Sequence, residues 1–492
     1  MRHVGHKAQS TRERRWRRVK PKHRTGKVMP TLEDAIRASS LKNGMTISFH
    51  HHLRAGDYVL NDVVRACAAL GFSDLTVNAS AIMACHTPLL EAIREGVVTG
   101  IECNFMHAAV GHAVSQGILE QPVLFRTHGG RPAALENGTS HINVAFIAAS
   151  AADAEGNCNG KEGSSAFGSI GYAMSDAEHA DYVVVVTDNL MPYPLTDVSI
   201  PENLVDAVVV CDSIGDPDRI MSGTTRITRD PIGLLIADYT ARAIEASGLI
   251  ENGFSFQTGA GGTSLAAAAY IGERMRKRGV TGSFASGGIT GLLVDLLNEG
   301  LFTSLADVQC FDREAVVSIR QNPRHVEISA SRYASPEAKS AVVDRLDAVI
   351  LGATEVGTDF SVNVHTDSNG MIMGGSGGHS DTAAGASLAV IAAPLVRARL
   401  PLIVDRPQTL STPGDTIDLL VTQFGMACNP RRPDLHDRLV DAGLPVFSIE
   451  ELKEKAELLT GRPRLLKNEG RVVARVNDRD GDELDVIRTV SS

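Results

Sequence analysis

Cysteine is scarce in this chain of 492 residues, and the spacing of the few cysteines is informative. The seven cysteines stand singly, with no Cys-x-x-Cys pair, at positions 67, 85, 103, 158, 211, 310 and 428. Disulfide scaffolds and structural zinc sites cluster or pair their cysteines, so neither is expected here. The pattern favours reduced thiols in a cytoplasmic protein.

Long apolar segments are also missing. One of the longest, residues 387–396, ends at Arg397 and falls well short of the about 18 residues that indicate a membrane-spanning helix. The amino terminus has no apolar core of a secretory signal peptide. Its arginine-rich, acid-poor composition leaves import into an organelle open, although we expect a cytoplasmic location.

Aromatic residues make up 4% of the chain, so Ala, Val, Ile and Leu must fill the interior. Hydrophobic residues account for 43% and charged residues for 22%, as in soluble globular proteins. The net charge is −10, yet residues 1–30 contain eleven Lys or Arg and one acidic residue. The acidic remainder argues against nucleic-acid binding, which needs a basic surface. Residues 1–30 show no apolar periodicity, so we predict a disordered basic arm that steers an acidic partner or targets the chain.

From Thr31 the chain alternates short β-rich runs with helical segments, which predicts α/β units around largely parallel sheets. We expect one domain at residues 31–245 and a second at residues 246–492, because Ser-Gly and Asn-Gly pairs punctuate the chain near the boundary. In the first domain, strands are expected at 46–49, 75–77, 142–148, 182–187 and 207–211, and helices at 58–70 and 89–95. Residues 142–159 resemble residues 346–363 at an offset close to that between 48–49 and 255–256. The sequence therefore indicates an internal duplication, although buried strands of any α/β protein look alike.

Three glycine-rich segments lie in the second half. QTGAGGTS (257–264) precedes an Ala-rich helix, where glycines allow close approach of a ligand and backbone N–H groups favour an anion, although a packing turn is an alternative. GGSGGHSD (374–381) can present several backbone donors to one oxygen, as an oxyanion hole requires. His379 could donate there, act as acid or base, or be structural. SFASGGITG (283–291) precedes a helix in similar style and contains no carboxylate.

Cationic segments lie in the first half. FHHHLR (49–54) follows the first strand, and three consecutive His residues in an extended loop cannot all face one ion, so no metal is expected. Binding of substrate carboxylates is the favoured interpretation, because Arg grips carboxylates bidentately. RTHGGR (126–131) offers two more cations or is an ordinary exposed turn. The polar segment 153–161 lines the cleft or connects elements, and Cys158 within it has no obvious base nearby.

Taken together and in this order, a set of segments resembles the citrate lyase alpha chain family, the citrate CoA-transferase subunits. The similarity runs from about residue 31 to residue 487. The segments are SFHHHLRAGD, RTHGGRP, GNCNG, SGTTRITRDP, GFSFQTGAGGTSLA, NPRHVEISASRYA, VDRLDAVILGATEVGTDFSVNV, GGSGGHSDTAAGA and TPGDTIDLLVT. The resemblance implies two tandem open α/β domains of the CoA-transferase (NagB/RpiA-like) type, with the active site between them.

The reaction that the resemblance implies is acyl exchange on a thiol. An acetyl thioester reacts with citrate to give a citryl thioester and acetate, as a step of citrate and acetyl-CoA metabolism. The thiol belongs to a CoA-like prosthetic group on the gamma subunit, an acyl carrier protein, and a beta subunit then cleaves the citryl thioester. The resemblance therefore implies an oligomeric enzyme complex, with no cofactor bound covalently to this chain and no nucleic-acid or membrane partner.

Related CoA-transferases that form a covalent intermediate carry a Glu after a glycine-rich loop, where this chain has Gly287. Gly offers no nucleophile, so we expect direct attack by the citrate carboxylate and a mixed anhydride that the carrier thiolate reopens. The expected catalytic residues are Gly375, Ser376, Gly377, Gly378 and His379. The expected substrate contacts are His50, His51, Arg54, His128 and Arg131. The expected contacts to the thioester or CoA moiety are Gln257, Gly259, Gly261, Gly262, Gly287 and Gly288.

One segment departs from the family pattern. Family members carry a Gly-Leu-Arg-Gly-like stretch where this chain has NFMHAAVG (104–111), so a different hydroxy acid such as citramalate is an alternative acceptor. Two other functions stay open, namely a stand-alone CoA-transferase that uses free acyl-CoA and a non-catalytic ligand sensor of the same fold.

Overall fold

The computed structural model describes residues 26–221, 226–463 and 469–490. Strands and helices alternate along most of this length, as the sequence predicts. In the first half the strands are β1 Val28–Met29, β2 Thr46–Phe49, β3 Leu75–Ala79, β4 Val98–Cys103, β5 Val123–Phe125, β6 Val144–Ala149, β7 Ala151–Asp153, β8 Cys158–Asn159, β9 Tyr182–Thr187, β10 Leu190–Met191 and β11 Ala207–Val210. The helices are α1 Leu32–Ala38, α2 Val59–Ala69, α3 Pro88–Arg94, α4 Ala108–Ser115, α5 Gly130–Glu136, α6 Gly171–His179 and α7 Pro231–Ala246.

The second half continues in the same style. Its strands are β12 Ser255–Thr258, β13 Gly282–Ile289, β14 Phe302–Cys310, β15 His325–Glu327, β16 Ala348–Leu351, β17 Glu355–Gly357, β18 Val362–Asn363, β19 Leu388–Ala392, β20 Val396–Arg397, β21 Leu400–Pro401, β22 Ile403–Val404, β23 Leu419–Thr422, β24 Gly425–Cys428, β25 Val446–Phe447, β26 Val472–Asn477 and β27 Glu483–Arg488. Its helices are α8 Gly262–Arg278, α9 Gly291–Asn298, α10 Arg313–Gln321, α11 Ala330–Ala334, α12 His379–Gly385, α13 Pro433–Asp441 and α14 Ile449–Thr460.

Two large sheets organise the molecule. The first has the strand order β1-β11-β9-β6-β2-β3-β4-β5-β26-β27, and the second has β15-β14-β13-β12-β16-β19-β23-β24-β25. Both are parallel apart from the pairs β26–β27 and β23–β24. Central strands such as β6 (VAFIAA) and β9 (YVVVVT) are continuous apolar runs, as expected for strands that helices cover on both faces.

The two sheets share one strand order, as the internal similarity of the sequence predicts. β11-β9-β6-β2-β3-β4-β5 in the first sheet corresponds to β23-β19-β16-β12-β13-β14-β15 in the second. The predicted repeat of residues 142–159 at 346–363 therefore aligns β6, β7 and β8 with β16, β17 and β18. The division predicted at residues 245 and 246 falls in the last turn of α7, between the two sheets in chain order.

The structure corrects or extends the sequence prediction in three details. Most of the predicted disordered arm, residues 1–25, lies outside the described residues, but Val28–Met29 pairs with β11 as an edge strand. The glycine-rich segment 283–291 is mostly strand, because β12 and β14 pair with both sides of it and hold it extended as β13. The hairpin β26–β27, expected in the second domain, instead extends the first sheet beside β5. Within the described ranges, the helices are too short or too polar to cross a membrane.

Candidate functional site

The loops that carry most of the predicted site residues begin at the carboxyl ends of parallel strands. β2 lies between β3 and β6, and β12 lies between β13 and β16, so each is the strand at which the sheet order reverses. Ligands of α/β proteins commonly bind at this position. His50 directly follows β2, and Gln257 and Gly259 lie at the end of β12. The strand order therefore places each of these segments at the switch point of its own sheet.

The glycine-rich segment 374–378 is docked on two loops of the first half. Met106 N donates to Gly374 O at 3.1 Å, Gly377 N donates to Asn104 O at 3.2 Å, and His128 N donates to Gly377 O at 2.8 Å. A Cβ at Gly375 would lie 2.3 Å from Asn104 O, so only glycine permits this contact. The predicted oxyanion segment and the predicted carboxylate contact His128 thus form one junction between the halves.

Two histidines and a tyrosine form an aromatic cluster at this junction. The ring centroids of His51 and Tyr172 are 5.2 Å apart, and those of His128 and Tyr172 are 4.6 Å apart. Burial lowers the pKa of His51 well below its usual value, with a further contribution from His128, and lowers that of His128 to about 3. Both rings are therefore neutral near pH 7 and can each donate one N–H to an anion.

Arg54 reaches the second half of the chain. Its backbone has a left-handed φ of 51°, and its guanidinium carbon lies 4.4 Å from the ring centroid of Phe311. Gly288 supports that ring, since a Cβ at Gly288 would come within 2.3 Å of it. Burial lowers the pKa of Arg54 to about 10, so the group remains a cation near neutral pH. Arg54 thus brings a positive charge to the junction, while its contact with a substrate carboxylate stays a prediction.

Gln257 and Gly287 meet at the end of neighbouring strands of the second sheet. Gln257 Nε2 donates to Tyr333 Oη at 2.7 Å, and a Cβ at Gly378 would lie 2.6 Å from the same oxygen. Gly287 has a φ of 101°, and a Cβ there would lie 2.7 Å from Gln257 Cδ. A side chain at position 287 would therefore displace the Gln257 amide, and Gly287 itself offers no nucleophilic atom.

The loop after β12 is open at two of its three predicted glycines. A Cβ at Gly259 or Gly261 would meet no atom closer than 3.6 Å, whereas a Cβ at Gly262 would lie 2.7 Å from Arg226 O. Gly259 and Gly261 can therefore be approached by a ligand. Gly262 instead serves close packing, which is the alternative interpretation of this loop.

Two of the predicted substrate contacts have other partners. The Arg131 guanidinium donates to both oxygens of Asp176, at 2.6 and 2.9 Å, and to Asn78 Oδ1 at 2.6 Å. His50 is buried with its Nδ1 2.6 Å from Nδ1 of His52, and burial lowers the pKa of His50 to about 4. The arrangement around Arg131 favours a structural role for this residue behind the junction over the predicted contact with substrate. His50 Nε2 is buried without a hydrogen-bond partner among the described residues, so His50 keeps hydrogen-bonding capacity for a ligand.

Some residues of the predicted catalytic segment 375–379 also have partners within the protein, and others do not. His379 Nε2 contacts Gly352 O at 2.9 Å and its Nδ1 contacts Thr412 Oγ1 at 2.8 Å, while burial lowers its pKa to about 4. Ser376 N donates to His365 Nε2, and Gly377 N donates to Asn104 O. Gly375 N and Gly378 N have no protein acceptor among the described residues, and both glycines are half-buried. They are therefore the backbone donors available to a ligand.

Sequence reasoning missed several polar residues of the junction. Asn104 and His107 follow β4, Tyr172 and Tyr333 stand beside the histidines and Gln257, and Asp381 bonds to the loop of His128. Among the described residues, the buried polar atoms here that lack a hydrogen-bond partner include His50 Nε2, Asn104 Oδ1, His107 Nε2, His128 Nδ1 and Gln257 Oε1. Buried polar atoms are rarely left unpaired, so a polar ligand is expected to satisfy them. Asn104 could have been identified from the sequence, because it is a polar residue directly after a buried strand.

One group of potential metal ligands occurs within the described ranges. Asp307, Cys310 and His325 are buried and lie within 4.8 Å of one another. Cys310 Sγ donates to Asp307 Oδ2 at 3.0 Å, and His325 Nε2 lies 2.8 Å from the same oxygen. The three groups thus form hydrogen bonds with one another. The consecutive histidines 50–52 do not belong to this group.

Known proteins resemble this chain over nearly its whole length. The family model described as citrate lyase, alpha subunit (CitF), matches residues 25–490. The citrate lyase alpha chain of Klebsiella pneumoniae is 48% identical over 477 residues, which cover 97% of this chain and 94% of that one. The citrate lyase alpha chain of Escherichia coli strain K12 is 47% identical over 469 residues, covering 95% and 92%.

Solved structures give the same result. An alpha subunit of citrate lyase from Streptococcus mutans, in complex with citrate, matches with a TM-score of 0.94 and 47% identity, covering 97% of this chain and 94% of that one. A 4-hydroxybutyrate CoA-transferase from Porphyromonas gingivalis matches with a TM-score of 0.54 and 16% identity, covering 87% and 96%. The second match concerns the fold alone and, with the sheet order, confirms the predicted α/β fold of the CoA-transferase type.

Proposed function

This chain belongs to the citrate lyase alpha subunit family, as its sequence segments predict, and from this premise we propose its reaction and its site. The chain is a transferase that exchanges acetyl for citryl on a thiol carried by a partner protein. The substrates are an acetyl thioester and citrate, and the products are a citryl thioester and acetate. Alpha chains of citrate lyase are components of a citrate lyase complex, and this chain is therefore a component of such a complex.

The exchange proceeds in two steps of acyl transfer. A carboxylate oxygen of citrate attacks the thioester carbonyl carbon, the C–S bond breaks, and the thiolate departs. The product of this step is a mixed anhydride of acetate and citrate. The thiolate then attacks the citryl carbonyl carbon, the C–O bond of the anhydride breaks, and acetate leaves. The lack of a nucleophilic side chain at Gly287 supports this route over an enzyme-bound glutamyl intermediate.

Residues of both halves divide the work between them. Arg54 and the neutral rings of His51 and His128 hold the citrate carboxylates by charge and by N–H donation. Gly375 N and Gly378 N face the oxyanion of each tetrahedral intermediate, because they are the unengaged backbone donors of the docked segment. Gln257, Gly259 and Gly261 line the path of the thioester arm.

The contact that carries the proposal is the hydrogen bond from His128 N to Gly377 O. It joins the predicted carboxylate loop to the predicted oxyanion segment across the two halves. A carboxylate and a thioester held on these two loops would meet in attack geometry, which is the main requirement of direct acyl transfer.

The partners follow from the same chemistry. We propose a gamma subunit, an acyl carrier protein with a CoA-like prosthetic group, as the source of the thiol, and a beta subunit that cleaves the citryl thioester. No group bound covalently to this chain is needed, since the acyl thioester arrives on the carrier. The complex would act in the cytoplasm.

The test combines purified chain, acetylated carrier protein and a panel of hydroxy acids that includes citrate and citramalate. Mass spectrometry of the carrier then gives the acyl group. Formation of citryl-carrier supports the proposal. A different acyl group on the carrier would show that another hydroxy acid, and not citrate, is the acceptor. Transfer to free CoA alone would favour a stand-alone CoA-transferase, and no transfer to either thiol would favour a ligand sensor.

Arg54→Gln tests the carboxylate assignment. Loss of a charge-assisted hydrogen bond costs about 1.5–3 kcal/mol, so the KM for citrate should rise about 10- to 100-fold. Arg65→Gln is the matched control, because Arg65 lies on the exposed face of α2 and pairs only with Asp62 among the ion pairs of the described residues. An Arg54→Gln variant with wild-type KM for citrate would remove Arg54 from the site.

A further inference from the structure

A buried carboxylate of the second half lies next to the His128 loop of the first half. Asp381, in the first turn of α12, is fully buried. Its Oδ1 accepts a hydrogen bond from Thr127 Oγ1 at 2.6 Å, and its Oδ2 accepts one from Gly129 N at 3.0 Å. The two donors flank His128 in the chain, so Asp381 holds the loop on both sides of that histidine.

The surrounding contacts leave the loop little freedom. Thr127 Oγ1 also accepts a hydrogen bond from Gly130 N at 2.8 Å. A Cβ at Gly129 would lie 2.0 Å from Ala334 O, which shows how closely the backbone of the second half approaches. Together with the bond from His128 N to Gly377 O, these contacts fix the backbone of residues 127–130 from the second half.

Asp381 itself is not in a position to meet substrate. It has no exposed surface, and each of its carboxylate oxygens accepts a hydrogen bond from the loop. The adjacent side chain with a ring nitrogen that lacks a partner among the described residues is instead His128, which packs on Tyr172. Any influence of Asp381 on the reaction must therefore pass through His128.

We propose that Asp381 is a positioning residue, which anchors the His128 ring through Thr127 and Gly129 at the place where it receives a carboxylate of the acceptor acid. This inference rests on the proposed acyl transfer. In this proposal, a side chain of the second half sets the position of the carboxylate-binding residue of the first half. The acceptor subsite is then complete only when the two halves are docked.

The key variant is Thr127→Val, which keeps the shape of the side chain and removes one donor to Asp381. Thr127→Ser keeps the hydroxyl and should restore the wild-type behaviour. Asp381→Asn is a second variant, since its amide offers one acceptor oxygen where the carboxylate offers two. Ser199→Ala is the matched control, because Ser199 Oγ donates at 2.6 Å to Glu327 and so makes a hydroxyl–carboxylate bond between the halves through other loops.

Two readouts separate positioning from mere stability. In transfer kinetics, Thr127→Val and Asp381→Asn should raise the KM for citrate about tenfold or more while the KM for acetyl-carrier changes less than twofold. In diethyl pyrocarbonate labelling followed by mass spectrometry, His128 should be modified faster in both variants. Thr127→Ser and Ser199→Ala should match the wild type in both measurements.

The outcomes are distinct. Unchanged labelling of His128 in Thr127→Val, or a KM for citrate equal to that of Ser199→Ala, would overturn the positioning role. Faster labelling without any change in KM would show that the anchor exists but does not serve the acceptor, and would also overturn it. If the wild-type chain transfers no acyl group at all, the proposed function itself fails, which the kinetics of the unmodified protein reveal first.

Discussion

At the scale of single residues, the histidines of the junction differ in what their ring nitrogens contact. His379 uses both nitrogens, toward Gly352 O and Thr412 Oγ1, whereas His128 Nδ1 has no partner in the described part of the chain. Burial lowers the pKa of His379 to about 4 and that of His128 to about 3. His379 is thus a fixed, neutral part of the scaffold, while His128 keeps hydrogen-bonding capacity for a ligand.

A His379→Phe variant should therefore lose stability and keep its pH dependence. Each buried group left unsatisfied costs about 1–3 kcal/mol, so the free energy of unfolding should fall measurably. The rise and fall of kcat/KM between pH 5.5 and 9 should stay as in the wild type, because a group with a pKa near 4 does not titrate in this range. Urea unfolding and transfer kinetics give the two quantities. Disappearance of one limb of the profile would instead identify His379 as an acid or base.

The Asp381 carboxyl predicts a pH dependence of stability. Burial raises its pKa to about 7, against the lowering effect of the hydrogen bonds from Thr127 and Gly129. Between about pH 4 and pH 7 the folded protein then binds more protons than the unfolded chain. The contribution of this group to stability is fully present below about pH 4 and is lost as the pH rises to about 7.

Asp381→Asn removes this titration. The free energy of unfolding of the wild type, relative to the variant, should therefore decrease as the pH rises from 4.5 through 7 and should level off above about pH 8. Urea unfolding of both proteins at each pH measures the difference, so that the titrations of all other groups cancel. A difference that does not change with pH would mean that Asp381 ionises with its ordinary pKa.

Some residues of the site could be predicted from the sequence, and others could not. His51, Arg54 and His128 follow buried strands, and polar residues in that position face the carboxyl edge of a parallel sheet. The roles of Arg131 and Asp381 depend on partners that are far away in the chain, Asp176 and the loop of Thr127. Only the packing of the two halves brings such partners together.

At the scale of elements, the glycine-rich segments have different structural reasons for their glycines. In segment 374–378, Gly375 is required by the close approach of Asn104 O. In the loop after β12, Gly261 has open space beside it and ordinary backbone angles, with φ −74° and ψ 147°. Composition alone gives the two segments the same appearance. The neighbouring backbone, which the sequence does not display, decides between packing and access.

Substitution by alanine should separate the two segments. Gly375→Ala places a methyl group 2.3 Å from Asn104 O, so the segment must move away from the first half. Loss of a preorganised oxyanion donor lowers kcat about 100- to 1,000-fold, and this is the expected size of the effect. Gly261→Ala should change the free energy of unfolding by no more than about 1 kcal/mol, and its effect should fall on the KM for acetyl-carrier. Equal kcat losses in both variants would contradict the distinction.

The order of the elements was the most predictable part of the fold. Strands β2 and β9 coincide with the predicted bounds, because buried parallel strands are continuous apolar runs between turn residues. β13 does not follow from the sequence of its segment, since its glycines are rare in strands. Its two neighbouring strands impose the extended conformation and leave a bulge between Gly287 and Gly288.

At the scale of the whole molecule, the two halves are duplicated sheets joined by reciprocal contacts. The second half supplies the docked glycine segment, and the last hairpin returns to the first sheet, where Ala474 pairs with Val123. Arg479, in the turn of that hairpin, forms an ion pair with Asp344 of the second half. The sequence predicts a division near residues 245 and 246. It does not predict this return of the chain end to the first sheet, because the hairpin could pair with the edge strand of either sheet.

Removal of the hairpin should destabilise the first half. A chain that ends at residue 463 loses the buried side chains of Val473, Val476 and Ile487 and leaves β5 as an open edge. Burial of an aliphatic side chain contributes about 1.5–3 kcal/mol, so the loss should be about 5 kcal/mol or more. Thermal unfolding and light scattering check the stability and the aggregation, with a chain ending at residue 490 as control. Unchanged melting of the shortened chain would show that the hairpin is dispensable.

The hairpin also affects how the protein is made. Strand β5 leaves the ribosome when about a quarter of the chain has been translated, but its partner β26 follows only near the end. At about 5–20 residues per second, the edge of the first sheet stays uncovered for roughly 20–70 s of synthesis. During that interval the nascent chain presents an unpaired strand to other ribosomes and to chaperones. Slower translation through the second half should therefore lower the yield of native protein, because it prolongs this exposure.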